Sequence, residues 1–311
     1  MIEARRLTKR FSTRQGVVTA VDGVDFTVPP GQFVGYVGPN GAGKSTTVKM
    51  MCGILRPTSG TLLVDGLVPC DDRRRLARRM GVVFGQRSQL WWDLPLRDSF
   101  RLVRRLYGVE SGDFDRRMRE LTDVLALAPL LDVPVRSLSL GQRMRGELAA
   151  AVLPAPTVLF LDEPTIGLDV EAKAAVRTFL AELNRDTGTT VVLTTHDLGD
   201  IVQLCRRLLI IDHGRVIFDG SVEGLRQAFG VGRGIVVDLV KDGPVQVEGA
   251  TVLRSEARRH WLQVRREQNV AEVVGRLLSN YEVEDLTVEE PDIEDIVRRI
   301  YREGVLNPPG R

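Results

Sequence analysis

Gly38-Pro39-Asn40-Gly41-Ala42-Gly43-Lys44-Ser45-Thr46 decides how this chain is read. It satisfies the pattern G-x-x-x-x-G-K-[ST] at every required position. A strand-like run, Gln32 to Val37, precedes it, and a helical run, Thr47 to Leu55, follows. Strand, loop and helix in that order are the context in which such a loop wraps a phosphate. Three glycines and Ala42 let the backbone curl round an anion and aim successive N–H groups at it. The helix behind adds its positive end. Lys44 is expected to reach the β- and γ-phosphates of a nucleotide, and the Ser45 hydroxyl to bind Mg²⁺.

The run Thr157-Val158-Leu159-Phe160-Leu161-Asp162-Glu163 is apolar until it ends in two carboxylates. Near-continuous apolarity predicts a central strand covered on both faces. With the phosphate loop upstream, Asp162 is expected to hold the Mg²⁺ cluster through water, and Glu163 to act as general base towards the attacking water. Gly167-Leu168-Asp169 closes a turn into a helix, Val170 to Leu183. A second buried strand, Val191 to Thr195, presents His196 at its C-terminal end, where parallel sheets bind ligands. His196 is therefore a candidate γ-phosphate sensor. The stretch from Leu208 to Phe218 reads as a hairpin turning at His213-Gly214, with His213 a plain turn residue.

Between loop and acidic strand, RPTSGTLLVDG predicts a turn and a strand pair, and Asp71 to Arg79 a basic, solvated helix. Met80 to Phe84 is a short apolar strand that delivers Gln86. Leu90-Trp91-Trp92-Asp93-Leu94-Pro95 places two Trp residues in a loop, either as core or as a docking surface. Residues 97–132 form a helical insertion. Phe100, Val103, Leu106 and Tyr107 share one apolar helical face, as do Leu121, Val124, Leu125 and Leu127–Ala128 further on. Leu138-Ser139-Leu140-Gly141-Gln142 then opens a helix to Val152 with an anion-receptive N-terminus.

The first 28 residues read as short strands and turns, with alternation from Val21 to Val28. Phe11 follows Lys9-Arg10; it could stack on a purine base or serve as a core residue. Composition changes near Gly230–Gly234. Beyond it, three strands (Ile235–Val240, Thr251–Glu256, Trp261–Arg265) lead to a helix from Val270 to Leu278, with Asn269 and Glu272 spaced for a capping box. A strand, Val283–Val288, and a helix opening at Pro291 complete a small α+β module with no catalytic constellation. Two domains are expected, 1–228 and 229–311, with a helical subdomain at about 90–155.

The chain has 311 residues, a hydrophobic fraction of 43% and a net charge of +2, so composition implies no nucleic-acid partner. Cys52, Cys70 and Cys205 are scattered without metal-ligand spacing, as in reduced cytoplasmic proteins. The N-terminus lacks the apolar core of a signal peptide, and no apolar run approaches a spanning helix. The chain is expected to be soluble and to reach a membrane through a partner.

These motifs, in this order, resemble the nucleotide-binding subunit of an ABC transporter over residues 2 to about 225. The resemblance implies an α/β P-loop NTPase of the ABC-ATPase fold: a mostly parallel central sheet, an antiparallel β subdomain and a helical subdomain. Gly38–Thr46, with Gly38, Asn40, Gly41, Gly43, Lys44, Ser45 and Thr46, matches Walker A. Gln86 matches the Q-loop glutamine, implied to sense Mg²⁺ beside Ser45 and Asp162. Leu138–Gln142 matches the signature motif, with Ser139, Gly141 and Gln142 implied to meet nucleotide. Val158–Asp162 matches Walker B, Glu163 the catalytic base, Asp169 the D-loop and His196 the switch histidine. Phe11 falls at the adenine-stacking aromatic. Leu140 stands where the family usually has glycine. GQRSQLWWDLP and TVEEPDIEDIVRRIY resemble the ABC-2 exporter branch, which includes daunorubicin, viologen and polysaccharide exporter ATPases.

That likeness implies ATP and Mg²⁺ as ligands and a head-to-tail pair, homo- or heteromeric, in which each signature helix covers the other subunit's ATP. It also implies ABC-2 type transmembrane permease subunits as partners and a peripheral place on the inner face of the membrane. The alternative is a soluble ABC-type ATPase of translation or DNA repair. A single cassette without sustained heptads argues against it.

Overall fold

Alternation at the start of the chain folds into one long hairpin where short strands were expected. In the computed structural model, β1 (Ile2–Thr13) pairs antiparallel with β2 (Gly16–Val28). Register shifts between Ala4 and Arg10 bend the ribbon. The structure describes residues 1–303 apart from Gln15, Gln86, Arg87, His196, Gly230, Val231, Arg266, Pro291 and Asp292. The expectations placed on Gln86, His196 and Pro291 thus lie outside the described residues.

β3 (Phe33–Val37) is buried along its whole length and runs into the glycine loop and α1 (Lys44–Met51). α1 ends before the expected Leu55, because the N–H groups of Ile54 and Leu55 both turn back to the Lys49 carbonyl (2.8 and 3.0 Å). RPTSGTLLVDG makes one strand, β4 (Ser59–Val64), not a pair. It joins β1 antiparallel in a three-stranded sheet of order β2-β1-β4.

The basic run contributes a short helix, α2 (Arg73–Ala77), before β5 (Met80–Phe84). The helical block comprises α3 (Leu96–Tyr107), α4 (Ser111–Val124) and α5 (Leu140–Val152). Phe100 and Val103 are buried as expected, but Leu106 is exposed. It lies six residues beyond Phe100, about 240° round the helix, and so leaves the buried side. Val124 is also exposed, because α4 stops there and the chain turns at Ala126 (φ 49°), handing the buried positions to Leu125 and Leu127.

β6 (Val158–Asp162), α6 (Val170–Thr187), β7 (Thr190–Thr194), α7 (Leu198–Leu204), β8 (Arg207–Asp212) and β9 (Arg215–Ser221) follow. The central sheet has the order β5-β6-β7-β3-β8-β9. Its pairs are parallel except β8–β9, which turn at His213 and Gly214 with positive φ. β3, β6 and β7 are interior, which explains their unbroken apolar sequences. All C-terminal strand ends of the parallel set face one way, towards the glycine loop, Asp162 and Thr194.

The chain divides into two compact units, Met1–Ser221 and Val222–Arg311. The division falls before α8 (Val222–Phe229), not at the expected 228/229 boundary, since α8 packs against α10 (Ile293–Glu303). The second unit also holds β10 (Gly234–Leu239), β11 (Ala250–Glu256), β12 (Arg259–Val264), α9 (Val270–Asn280) and β13 (Val283–Glu289). Its antiparallel sheet, β11-β12-β10-β13, buries Ile235, Val237, Leu262 and Val264 against Val273 and Leu277 of α9. Asn269 caps α9 by accepting the Ala271 N–H (2.9 Å), in place of the box expected with Glu272.

In the first unit a buried ionic joint holds three segments together. Asp200 of α7 is fully buried. It accepts a hydrogen bond from Thr165, just after β6, and one from Arg177 Nε of α6 (2.6 Å). Replacing the arginine strands a carboxylate in the interior. Arg177→Met is expected to cost about 3 kcal/mol or more of unfolding free energy, read as a lowered midpoint in urea denaturation.

Candidate functional site

The glycine loop owes its shape to backbone crowding. A Cβ at Gly38 would strike the Ile211 carbonyl, and one at Gly43 (φ 107°) the Ala20 carbonyl. Both neighbours are backbone and cannot swing aside. The Gly214 N–H donates to the Ala42 carbonyl (3.0 Å), so the β8–β9 turn supports the loop from behind. Below it, the buried Tyr36 hydroxyl donates to Thr47 (3.3 Å), and Thr47 donates to the Gly43 carbonyl (3.0 Å). Burial pushes the Tyr36 phenol well above its usual range. Gly43 opens α1 without a side-chain cap, leaving helix N–H groups open to an anion. Gly41 and Asn40 are exposed at the crest, as is Ser45, while Thr46 is half-buried.

Lys44 is buried. Its ammonium donates to the Gly38 and Pro39 carbonyls (2.6 and 3.0 Å). Burial lowers its pKa, and the charges of Glu163 and Asp162 act in the opposite sense. The lysine and the two carboxylates, more than a hundred residues apart in sequence, therefore share one electrostatic neighbourhood.

Asp162 closes β6, half-buried, and accepts a hydrogen bond from the Thr194 hydroxyl at the end of β7. Its carbonyl accepts the Gly85 N–H (2.8 Å), which ties β5 to the same corner. Glu163 follows with φ 55°, a backbone region that carboxylate side chains seldom adopt, and its N–H donates to the Thr194 carbonyl (2.8 Å). Thr194 was not anticipated; the signal was the doubled Thr194-Thr195 at a strand tip. Asp197, which caps α7, accepts from Lys173 of α6 (2.7 Å), and that bond holds its carboxyl below the usual range.

Ser139 caps α5 in a reciprocal box. Its hydroxyl accepts the Gln142 N–H (3.2 Å), and the Gln142 amide oxygen accepts the Ser139 N–H (2.9 Å). Gln142 thus shapes the turn that presents Ser139. A Cβ at Gly167 (φ 70°) would run into Leu140, and one at Gly141 would touch Leu168. The turn that opens α5 therefore rests on the Gly167–Asp169 turn, with Leu140 filling the space over Gly167. Asp169 caps α6 through the Ala172 N–H (2.8 Å). Phe11 is half-buried on the hairpin beside Val18, with the Lys9 ammonium 5.1 Å from its ring centre. Trp91 and Trp92 are exposed, which removes the core reading of that stretch.

The residues fit a nucleoside polyphosphate. Gly38 and Gly43 of the cradle leave no room for an added Cβ, the helix N-terminus has no side-chain cap, and the Lys44 ammonium lies against the loop. Ser45 and Asp162 are oxygen donors of the kind that a hard divalent ion takes.

The sequence pattern of the ABC transporter family matches residues 21–166. The chain is 30% identical over 228 residues to the ABC transporter ATP-binding protein NatA of Bacillus subtilis, covering 73% of this chain and 92% of NatA. It is 39% identical to the daunorubicin/doxorubicin resistance ATP-binding protein DrrA of Streptomyces peucetius, covering 68% of this chain but 63% of that relative. It is 35% identical to the methionine import ATP-binding protein MetN 1 of Burkholderia ambifaria, covering 71% of this chain and 65% of the relative. The solved ATP-binding subunit of an ABC transporter superposes with a TM-score of 0.67 at 26% identity, over 74% of this chain and 93% of the other. A dimeric ATP-binding cassette in a post-hydrolysis state, bound to ADP and Pi, superposes with a TM-score of 0.65 at 25% identity, over 71% and 99%. Loop, acidic strand and relatives agree, and the chain belongs to the ATP-binding proteins of the ABC transporter family.

Proposed function

We propose that this ATPase drives export across the cytoplasmic membrane, as one of two cassettes docked to ABC-2 type permease subunits. The observation that carries the hydrolytic reading is the meeting of Lys44 with Asp162 and Glu163 at the C-terminal edge of the central sheet. Lys44 and the N–H groups of the glycine loop hold the phosphates. Ser45, Asp162 and Gln86 would hold Mg²⁺, which when bound neutralises phosphate charge. Glu163 takes a proton from water as the water oxygen bonds to the γ-phosphorus and the bond to the ADP oxygen breaks. His196 is assigned to the γ-phosphate, and Phe11 to the adenine face.

Ser139 and Gly141 serve the ATP held by a second cassette, so the pair closes on two nucleotides and reopens after hydrolysis. Such closure is a population shift driven by contacts made only in the closed state. The export direction is supported by likeness to DrrA and to a Nod factor export ATP-binding protein of Cupriavidus metallidurans, 40% identical over 222 residues. The methionine-import relatives make direction a question for a vesicle assay rather than for sequence. No described helix is long and apolar enough to cross a membrane, and the permease is the proposed tether to the inner face. Trp91 and Trp92 are the proposed docking edge, with Trp92 braced by Arg143 of α5 at 5.7 Å. The 222–311 unit is proposed as an accessory element of the assembly.

Three outcomes follow from these assignments. Glu163→Gln should lower kcat by about 10²–10⁴-fold while stabilising an ATP-bound dimer on size exclusion; unchanged turnover would remove Glu163 from the base role. Gly43→Ala should abolish binding of a fluorescent ATP analogue, since the new Cβ meets a carbonyl at a backbone angle alanine avoids. Trp92→Ala should uncouple transport in proteoliposomes while the basal ATPase of the detergent-free cassette stays within about twofold.

A further inference from the structure

Glu147 lies in the middle of α5, 4% exposed, eight residues beyond the Ser139 cap. Nothing in hydrolysis calls for it. Its neighbours along the buried side, Met144, Leu148 and Ala151, are apolar, and Gly146 packs against Leu90 and Leu96. Yet its carboxylate accepts the Ser88 hydroxyl through one oxygen and the Gln89 N–H through the other (3.1 Å). The Gln89 side-chain amide donates in return to the Glu147 carbonyl (3.0 Å). Ser88 and Gln89 are the second and third residues after Gln86.

Burial raises the Glu147 pKa, and this outweighs the opposing pulls of Ser88, the Gln89 N–H and Arg143. A folded state that holds the proton more tightly than the unfolded chain loses stability as pH rises through that raised pKa. A carboxylate buried at this point is a burden on folding, and an apolar residue would pack there more cheaply. The two hydrogen bonds its carboxylate accepts, from Ser88 and from the Gln89 N–H, do what apolar packing cannot. They fix the loop to the helix in one register instead of letting it slide.

We propose that Glu147 is a positioning residue, the joint through which the loop after Gln86 sets the attitude of α5 and hence of Ser139. The proposal rests on the closure reading given above and adds the part that carries the motion. α5 is continuous from Leu140 to Val152, and the capping box locks Ser139 to its first turn. A displacement at residues 88–89 is therefore delivered about 12 Å away at the helix tip. The joint also passes beside the docking edge, since Arg143, one turn before Glu147, braces Trp92.

The test uses the full chain carrying Trp261→Phe, which leaves Trp91 and Trp92 as the sole indoles. Emission is recorded with and without Mg²⁺ and a non-hydrolysable ATP analogue, alongside dimerisation, analogue affinity, kcat and Tm. Glu147→Ala and Ser88→Ala should keep analogue affinity within about twofold, lose the nucleotide-dependent emission change, and lower kcat by about 10–100-fold. Glu147→Gln can still accept from Ser88 but not from Gln89, so it should fall between, with a Tm at pH 7 no lower than its parent. A structural anchor would show the reverse, a lowered Tm with kcat retained. If the parent responds to nucleotide and Ser88→Ala and Glu147→Gln respond identically with kcat unchanged, the joint is refuted. A parent that neither dimerises nor changes emission would overturn the closure reading, and the joint with it.

Discussion

One steric demand organises the catalytic unit: backbone N–H groups must stand bare at the end of β3. Gly38 and Gly43 are pressed against the carbonyls of Ile211 and Ala20 from neighbouring strands. The loop is thus clamped from outside and cannot accept side chains from within. Its interior is left to polar backbone and one ammonium, and Lys44 meanwhile satisfies the loop's own carbonyls. A polyphosphate would offer that ammonium stronger partners than two neutral carbonyls.

Around that demand the unit is assembled from rigid strand tips and a few buried polar joints. β6 and β7 bring Asp162 and Thr194 side by side, and the same corner holds Gly85 by a backbone bond. Asp200 ties the turn after β6 to α6 and α7, and Glu147 ties the loop after β5 to α5. Buried carboxylates cost folding energy wherever they occur. Both stand where one segment must keep register with another, Asp200 accepting from two other segments and Glu147 from one.

Leu140 adds a contact that a glycine at its position could not make. Its side chain covers Gly167, so the turn that opens α5 and the Gly167–Asp169 turn touch. Ser139 remains at the tip of its helix and is exposed.

The linear order of residues was enough for the glycine loop, the acidic strand and the buried β-strands, because each is a local pattern with a short-range cause. Period-two and unbroken apolar runs reflect one or two covered faces, and Gly-x-x-x-x-Gly-Lys-Ser is a contiguous phosphate-loop pattern legible without its neighbours. It was not enough for the length of the opening hairpin, the exposure of Leu106 and Val124, or the end of the first unit at Ser221. Those depend on which neighbour covers a face, and helical spacing says only which residues share one. Nor could it reveal that Thr194 serves Asp162, that Leu140 rests on Gly167, or that Glu147 holds Ser88 and Gln89. Such pairs lie 27 to 59 residues apart, and only the packing of distant segments decides which polar groups, once removed from water, must answer one another.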